Sequence, residues 1–114
     1  MTTPTLPAET SPAAAAWDPE RVFFILGNDK RRRLLVALAS APGQAASQLA
    51  PLIGRTQDAT LKHLIELREA GMVRMARDPH DERRQLYTLT AAIVVRQENG
   101  GLELDFGCCL MRVR

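Results

Sequence analysis

Residues 54–77, GRTQDATLKHLIELREAGMVRMAR, decide the fold. Gly54 supplies a sharp turn, and Thr56 suits the N-cap of a helix that reaches Ala70, where Gly71 provides a left-handed stop. Met72–Arg77 then reads as a strand, Asp78–Glu82 as a turn-rich loop, and Gln85–Thr90 as the returning strand. Upstream of Gly54, Ala46 to about Ile53 makes a short helix. The order is therefore short helix, tight glycine turn, longer helix with polar residues in its first two turns, and a two-stranded ribbon.

Two more helices precede this stretch. Trp17-Asp18-Pro19-Glu20 is a start signal, with Asp18 as N-cap, Pro19 in the first helical position and Trp17 stapling over the first turn. Val22, Phe23, Ile25 and Leu26 follow, and Gly27 stops the helix. The next helix starts at Asn28 or Asp29 and runs to about Ser40, with Leu34, Leu35 and Leu38 at helical spacing; Ala41-Pro42-Gly43 breaks it. Lys30, Arg31, Arg32 and Arg33 crowd its first turns, where the helix dipole favours carboxylates. They are read either as phosphate contacts or as a solvated basic face. Residues 1–16, rich in Pro, Thr and Ala, bury too little apolar surface to offset their ordering entropy and are expected to be a disordered tail.

The C-terminal segment 91–114 reads as a second hairpin. An Asn99-Gly100 two-residue turn sets Gln97 opposite Leu102, Val95 opposite Leu104 and Ile93 opposite Phe106 on one face, and Arg96 opposite Glu103 on the other. Glu103 and Asp105 are expected to face water. Past Gly107 the alternation stops, and Cys108, Cys109, Leu110 and Met111 put apolar groups on both faces of a strand that then needs cover on both. A second copy of the chain is the expected cover, so 91–114 is read as a dimerisation element.

The 114 residues hold one domain, 46% hydrophobic and 25% charged, with a formal net charge of +2. Nothing in that balance announces a polyanionic partner, so any such site must concentrate its charge locally. No apolar run approaches the ~20 residues of a membrane helix, and the N-terminus lacks the layout of a secretory signal. Two adjacent cysteines are poor material for a disulfide framework, which fits a reducing cytoplasm. The fold class is therefore α+β: a winged helix–turn–helix over residues 17–90 with an appended C-terminal β-hairpin.

With the elements in order, Leu26-Gly27-Asn28-Asp29-Lys30-Arg31 through Leu38 resembles the opening of ArsR-type regulators. Gly54-Arg55-Thr56-Gln57 and Leu64 through Val73 are similar to the recognition helix and its exit in the same superfamily. Asp78-Pro79-His80-Asp81-Glu82-Arg83, closing on Leu89-Thr90, resembles the wing of the MarR family. The resemblance implies a transcriptional regulator that binds double-stranded DNA without a cofactor, recognition helix in the major groove and wing in the minor groove. It carries the interface to Arg55, Thr56, Gln57, Asp58, Leu61, Lys62, Arg83 and Arg84. Gln57 can pair with adenine, Lys62 suits a phosphate, and Arg83, held by Asp81, suits a narrow minor groove. Leu61 and Ile65 broaden the apolar face of the helix, which suits thymine methyls or packing against protein.

Other readings bear on the same residues. Across 54–90 the seven cations exceed the anions by one, a balance that also suits a winged-helix protein-interaction module. Cys108 and Cys109 are expected to be buried small hydrophobes, with thiol sensing the minority reading. His63, and His80 with Asp78 and Asp81, are read as solvated side chains and not as metal ligands. Tyr87 and Trp17 are expected in the core or an interface. No nucleophile–base pair or glycine-rich phosphate loop is present, so an enzyme is not expected.

Overall fold

A computed structural model describes residues 17–113; the tail expected over 1–16 lies outside the described residues. Four helices come first: α1 (Pro19–Leu26), α2 (Asp29–Ser40), α3 (Ala46–Ile53) and α4 (Gln57–Glu69). Two antiparallel sheets follow. The first is a ribbon of β1 (Val73–Asp78) and β2 (Asp81–Leu89); the second runs β3 (Val94–Glu98), β4 (Gly101–Asp105) and β5 (Leu110–Val113) in that spatial order.

The helices begin where side-chain acceptors meet free backbone N–H groups. Asp18 accepts from Glu20 N, Asn28 from Lys30 N and Arg31 N, and Thr56 from Ala59 N. On α4 the buried residues are Thr60, Leu64 and Leu67, one stripe at helical spacing. They join Val22 and Ile25 of α1, Leu34, Leu35 and Leu38 of α2, and Leu49 and Ile53 of α3 in a single core. Gly71 ends the α4 segment with φ +82°, as expected.

The end of α1 differs from expectation. Gly27 sits at φ −72°, in the right-handed region, so glycine's left-handed freedom is not what stops the helix. Its last carbonyls are captured by the basic cluster instead. Arg31 Nε donates to Ile25 O at 2.9 Å and Nη2 to Phe24 O at 2.9 Å, while Arg32 Nη1 donates to Leu26 O. Arg31 is buried, reaches Glu66 Oε1 at 3.1 Å and lies over the Phe24 ring. The cations oppose the dipole of the helix that carries them but sit at the negative end of the one before it. Neither a phosphate contact nor a solvated face describes Arg31. Lys30 and Arg33 lie 3.8 Å from Asp29, on the outer side.

The second sheet carries the expected register, with Val95 opposite Leu104, Arg96 opposite Glu103 and Gln97 opposite Leu102. Ile93 and Phe106, expected to pair, lie beyond the ladder, their N–H groups given to Thr90 O and Cys109 O. Asn99 (φ 52°) and Gly100 (φ 78°) make its turn. Other expectations fail. The hairpin continues into a third strand, because Gly107–Cys109 forms a tight turn that brings Leu110–Val113 back along β4. That turn is built by Gly107 N donating to Asp105 Oδ1 at 2.7 Å and Phe106 N donating to Cys109 O at 3.0 Å. Consequently Cys108–Met111 is not a strand with two apolar faces, nor are both cysteines buried as expected: Cys108, in the turn, is exposed, Cys109 is half-buried, and β5 alternates. Glu103 does not face water either. It is buried under Arg96 (3.3 Å) and Arg112 (2.8 Å), its cross-strand neighbours on the two sides.

The inner face of β4 joins the sheet to the helices. Leu102, Leu104 and Phe106 enter the core, with Ile93. Trp17 meets Phe106 edge-on at 6.4 Å between centroids and lies 3.5 Å from the position of a Cβ on Gly71. It ties the C-terminal sheet to the exit of α4 and sits in one core with Val22 of its own helix.

Candidate nucleic-acid interface

The turn between α3 and α4 rests on Gly54, whose φ of +68° a side chain would strain. Arg55 follows, exposed, and Thr56 caps α4 with its Oγ1 3.2 Å from Ala59 N. The first turn of α4 therefore presents Thr56, Gln57 and Asp58 to solvent. Asp58 stands where the positive end of the dipole favours an acid. Thr60, one turn on, is buried and donates to Thr56 O at 2.8 Å, which fixes the rotation of the helix.

The wing is longer than expected. β2 begins at Asp81, so only Pro79 and His80 remain in the tip. Its ladder is regular from Val73–Leu89 to Arg77–Gln85 and then jumps to Asp78–Asp81, which bulges Glu82, Arg83 and Arg84 out of register. The bulge is tied locally. Asp81 Oδ1 accepts from Arg83 N at 3.1 Å and from Arg83 Nε at 3.4 Å, and Arg77 Nη1 donates to Glu82 O. Arg83 is held at its root while its side chain stays 92% exposed. Arg84 is drawn back, 4.0 Å from Asp78.

Between α4 and the wing lies an open groove of about 450 Å³. Gln57 and Leu61 form one side, Asp81, Arg83, Arg84, Gln85 and Tyr87 the other, and Ala45 to Ser47 the end. The base of the wing is pinned to the helices by a bridge the sequence did not reveal. Tyr87 N donates to Gln44 O at 2.8 Å, and Gly43 N and Gln44 N both donate to Tyr87 O at 3.1 Å. Burial pushes the Tyr87 phenol above its ordinary pKa, as suits a core residue. Ser47 and Gln85 were also missed. For Gln85 a signal existed, since strand alternation puts it on the same face as Arg83 and Tyr87.

The structure brings Gln57, Leu61, Arg83 and Arg84 together and keeps others apart. Leu61 is half-buried against the core and Ile65, one turn on along the same side of α4, is 50% exposed, so their shared apolar face is covered only at the Leu61 end. Ile65 lines a separate depression further round α4, with Arg31, Ala59, Lys62, His63 and Glu66. Lys62 thus lines that depression and not the wing groove, and Arg55 and Asp58 lie outside the groove's lining. His63 Nδ1 is 3.2 Å from Glu66 Oε1, and His80 N donates to Asp78 Oδ1. Among the described residues no three His, Cys, Asp or Glu side chains converge as a metal site. Burial and the neighbouring Cys108 push the Cys109 thiol up to about 11, away from a reactive thiolate.

Solved structures give this geometry its context. A MarR family transcription regulator matches with a TM-score of 0.52 and 27% identity over 55% of this chain and 42% of its own. The PcaV transcriptional regulator from Streptomyces coelicolor, solved with its natural ligand, matches at 0.50 and 29% identity over 52% of this chain and 42% of its own. The transcriptional repressor CouR, bound to a 23-mer DNA duplex, matches at 0.50 and 25% identity over the same shares. The match spans less than half the length of these regulators. No protein-family model and no curated protein matches the chain. The chain carries a winged helix–turn–helix of the MarR-like kind, followed by a C-terminal β-meander.

Proposed function

We propose that the protein is a transcriptional regulator that binds double-stranded DNA, with α4 in the major groove and the wing reaching the minor groove. The observation that carries this reading is Arg83: a guanidinium 92% exposed at the wing, fixed at its root by Asp81, across a groove from Gln57. A minor groove attracts such a cation, and an exposed glutamine amide in the first turn of a groove-borne helix can pair with adenine. That one of the matching structures, CouR, is bound to a DNA duplex supports the reading. Arg55 and Arg84 are cast as phosphate contacts near the turn and the wing, and Lys62 as a flanking one. Thr56 offers its backbone and hydroxyl, and Asp58 an acceptor for a cytosine amine. Leu61 contributes an apolar contact from the groove floor.

One small module reaches few base pairs, so the regulator works as a symmetric dimer through residues 91–114, in the cytoplasm. No helix among the described residues is long and apolar enough to cross a membrane. Selection from random duplexes at low salt, followed by fluorescence anisotropy, tests the reading. Enrichment of a two-fold sequence is expected. A chain with no measurable affinity for any duplex would refute it and favour a protein-interaction module, the use to which exposed Phe23, Phe24 and Ile65 are suited.

A further inference from the structure

The free edge of the C-terminal sheet offers a place for two copies to meet, an inference that rests on the dimeric reading above. All five residues of β3 are exposed, including Val94 at 41% and Val95 at 37%. The valines point to opposite faces of the sheet, so covering one face alone would leave one of them in water. The strand carries no proline and its pairing with β4 is regular throughout, so only its shortness and the charges of Arg96 and Glu98 blunt the edge. On the opposite edge, Met111, Arg112 and Val113 of β5 line a cleft with Val36, Ala37 and Leu52 of the helices, whereas on β3 only Gln97 and Glu98, beside the turn, share a cleft with Val36 and Ser40.

The turn fixes which backbone groups the edge offers. In a two-residue hairpin the closing pair, here Glu98–Gly101, exchanges hydrogen bonds, and the pattern alternates from there. Glu98, Arg96 and Val94 therefore turn their N–H and C=O groups toward β4. Gln97 and Val95 turn theirs outward. Ile93 N–H is already given to Thr90 O at 3.1 Å, which leaves its carbonyl. A second β3 running antiparallel, on a two-fold axis normal to the sheet, uses the outward groups of both Val95 and Gln97 only with the axis at Val95, Arg96 or Gln97.

The three registers are not equal. With the axis at Gln97, Val95 would face Asn99, whose left-handed turn conformation takes it out of the strand, and Val94 would lie beyond the pairing. With the axis at Arg96, two guanidiniums face each other in the closest kind of cross-strand pair, and both valines lie opposite polar residues. With the axis at Val95, the two Val95 side chains pack on each other, and each Val94 lies under the aliphatic stem of the other copy's Arg96. Gln97 N–H then reaches the carbonyl of Ile93 in the second copy. Only this register covers both valines and keeps the arginines apart.

We propose that β3 pairs antiparallel with β3 of a second copy, Val95 on the two-fold axis, to form one continuous six-stranded sheet. Sedimentation and residue-resolved hydrogen exchange of the whole chain, without DNA, test it. A dimer is expected in which the amides of Val95 and Gln97 are protected, with that protection falling at least tenfold on dilution into monomers. Amides of Val94, Arg96 and Glu98 stay protected, since they belong to the β3–β4 ladder. Val95→Lys, at a site already exposed in one copy, is expected to give folded monomers with an unchanged circular dichroism spectrum. A wild-type monomer at tens of micromolar, or a dimer in which Val95 and Gln97 exchange freely, would overturn the edge pairing. Duplex binding measured on the same wild-type sample separates that failure from failure of the DNA reading.

Discussion

Replacing Arg31 by alanine tests the account of how α1 is fastened to the rest of the fold. The side chain is 9% exposed and makes three hydrogen bonds, to Ile25 O, Phe24 O and Glu66 Oε1, at 2.9, 2.9 and 3.1 Å. Each bond involves a charged group, and such bonds contribute about 1.5–3 kcal/mol when their loss leaves a partner unpaired. The full sum is not expected, because Glu66 is 40% exposed and can rehydrate, and it retains His63. The two helix-end carbonyls have less recourse. A loss of roughly 3 kcal/mol is therefore expected, most of it from the two carbonyls left without their charged donor. For a domain of this size that lowers Tm by about 12–24 °C. Urea unfolding followed by circular dichroism measures it. Arg33→Ala is the control: its side chain is 57% exposed with one 3.8 Å ion pair, so the change should stay within about 0.5 kcal/mol. Arg31→Lys should recover only part of the loss, since an ammonium cannot span acceptors the planar fork reaches together. If Arg31→Ala costs under about 1 kcal/mol, or no more than Arg33→Ala, the capture of the α1 carbonyls does not hold that helix in place.

Arg83→Ala should weaken binding to every duplex, while Gln57→Ala should relax discrimination at one base pair by about 1–3 kcal/mol; anisotropy on a panel of single-substituted sites separates the two. Cys108 should react readily with iodoacetamide at pH 8 and Cys109 slowly, by mass spectrometry of labelled peptides, because Cys109 is held up near 11. The same shift sets a direction for stability: the folded chain keeps a proton that the unfolded chain releases near pH 9. The contribution is whole below that pH and is lost between about 9 and 11, seen as a falling urea midpoint. Gly54→Ala should destabilise by about 1–2 kcal/mol through backbone strain alone, since a Cβ there meets open space; an unchanged Tm would deny the left-handed turn.

What the sequence made legible was whatever its neighbours along the chain determine. The Asn99-Gly100 turn and the alternation on either side fix the β3–β4 register within ten residues, and the structure has that register. Asp18, Asn28, Thr56 and Gly71 bound their helices for the same local reason. What failed needed a partner far away. Arg31 meets Glu66 thirty-five residues on, and nothing in Lys30–Arg33 distinguishes a cation aimed at a preceding helix from one aimed at solvent. The third strand was a different kind of miss. Asp105-Phe106-Gly107 is a turn signal, an acid two residues before a glycine at φ +85°, but the run of Cys, Leu and Met after it reads as continuous strand.

The wing groove was legible only in part, because charge in a sequence is not charge on a face. The chain holds fifteen Lys and Arg, yet several are committed elsewhere. Arg31 and Arg32 cap α1, and Arg96 and Arg112 cover Glu103. Around the turn and the wing the exposed or half-buried cations include Arg55, Arg74, Arg77, Arg83 and Arg84. Of these, Arg55, Arg83 and Arg84 are the ones proposed to meet the duplex, with Lys62 on a neighbouring face. Each phosphate neutralised adds about 0.9 to the log–log dependence of affinity on salt. One copy should therefore show a slope of about 3, with Lys62 raising it toward about 4, and a dimer about twice that. Non-specific binding by one copy would be weak at physiological salt, and specificity would depend on two copies engaging a two-fold site together. The Val95→Lys chain separates these terms, because its predicted defect lies in the sheet and its wing is untouched. Its slope should be half that of wild type on the selected site, with the same preference at each half-site. An unchanged slope would mean that the two copies never shared the load.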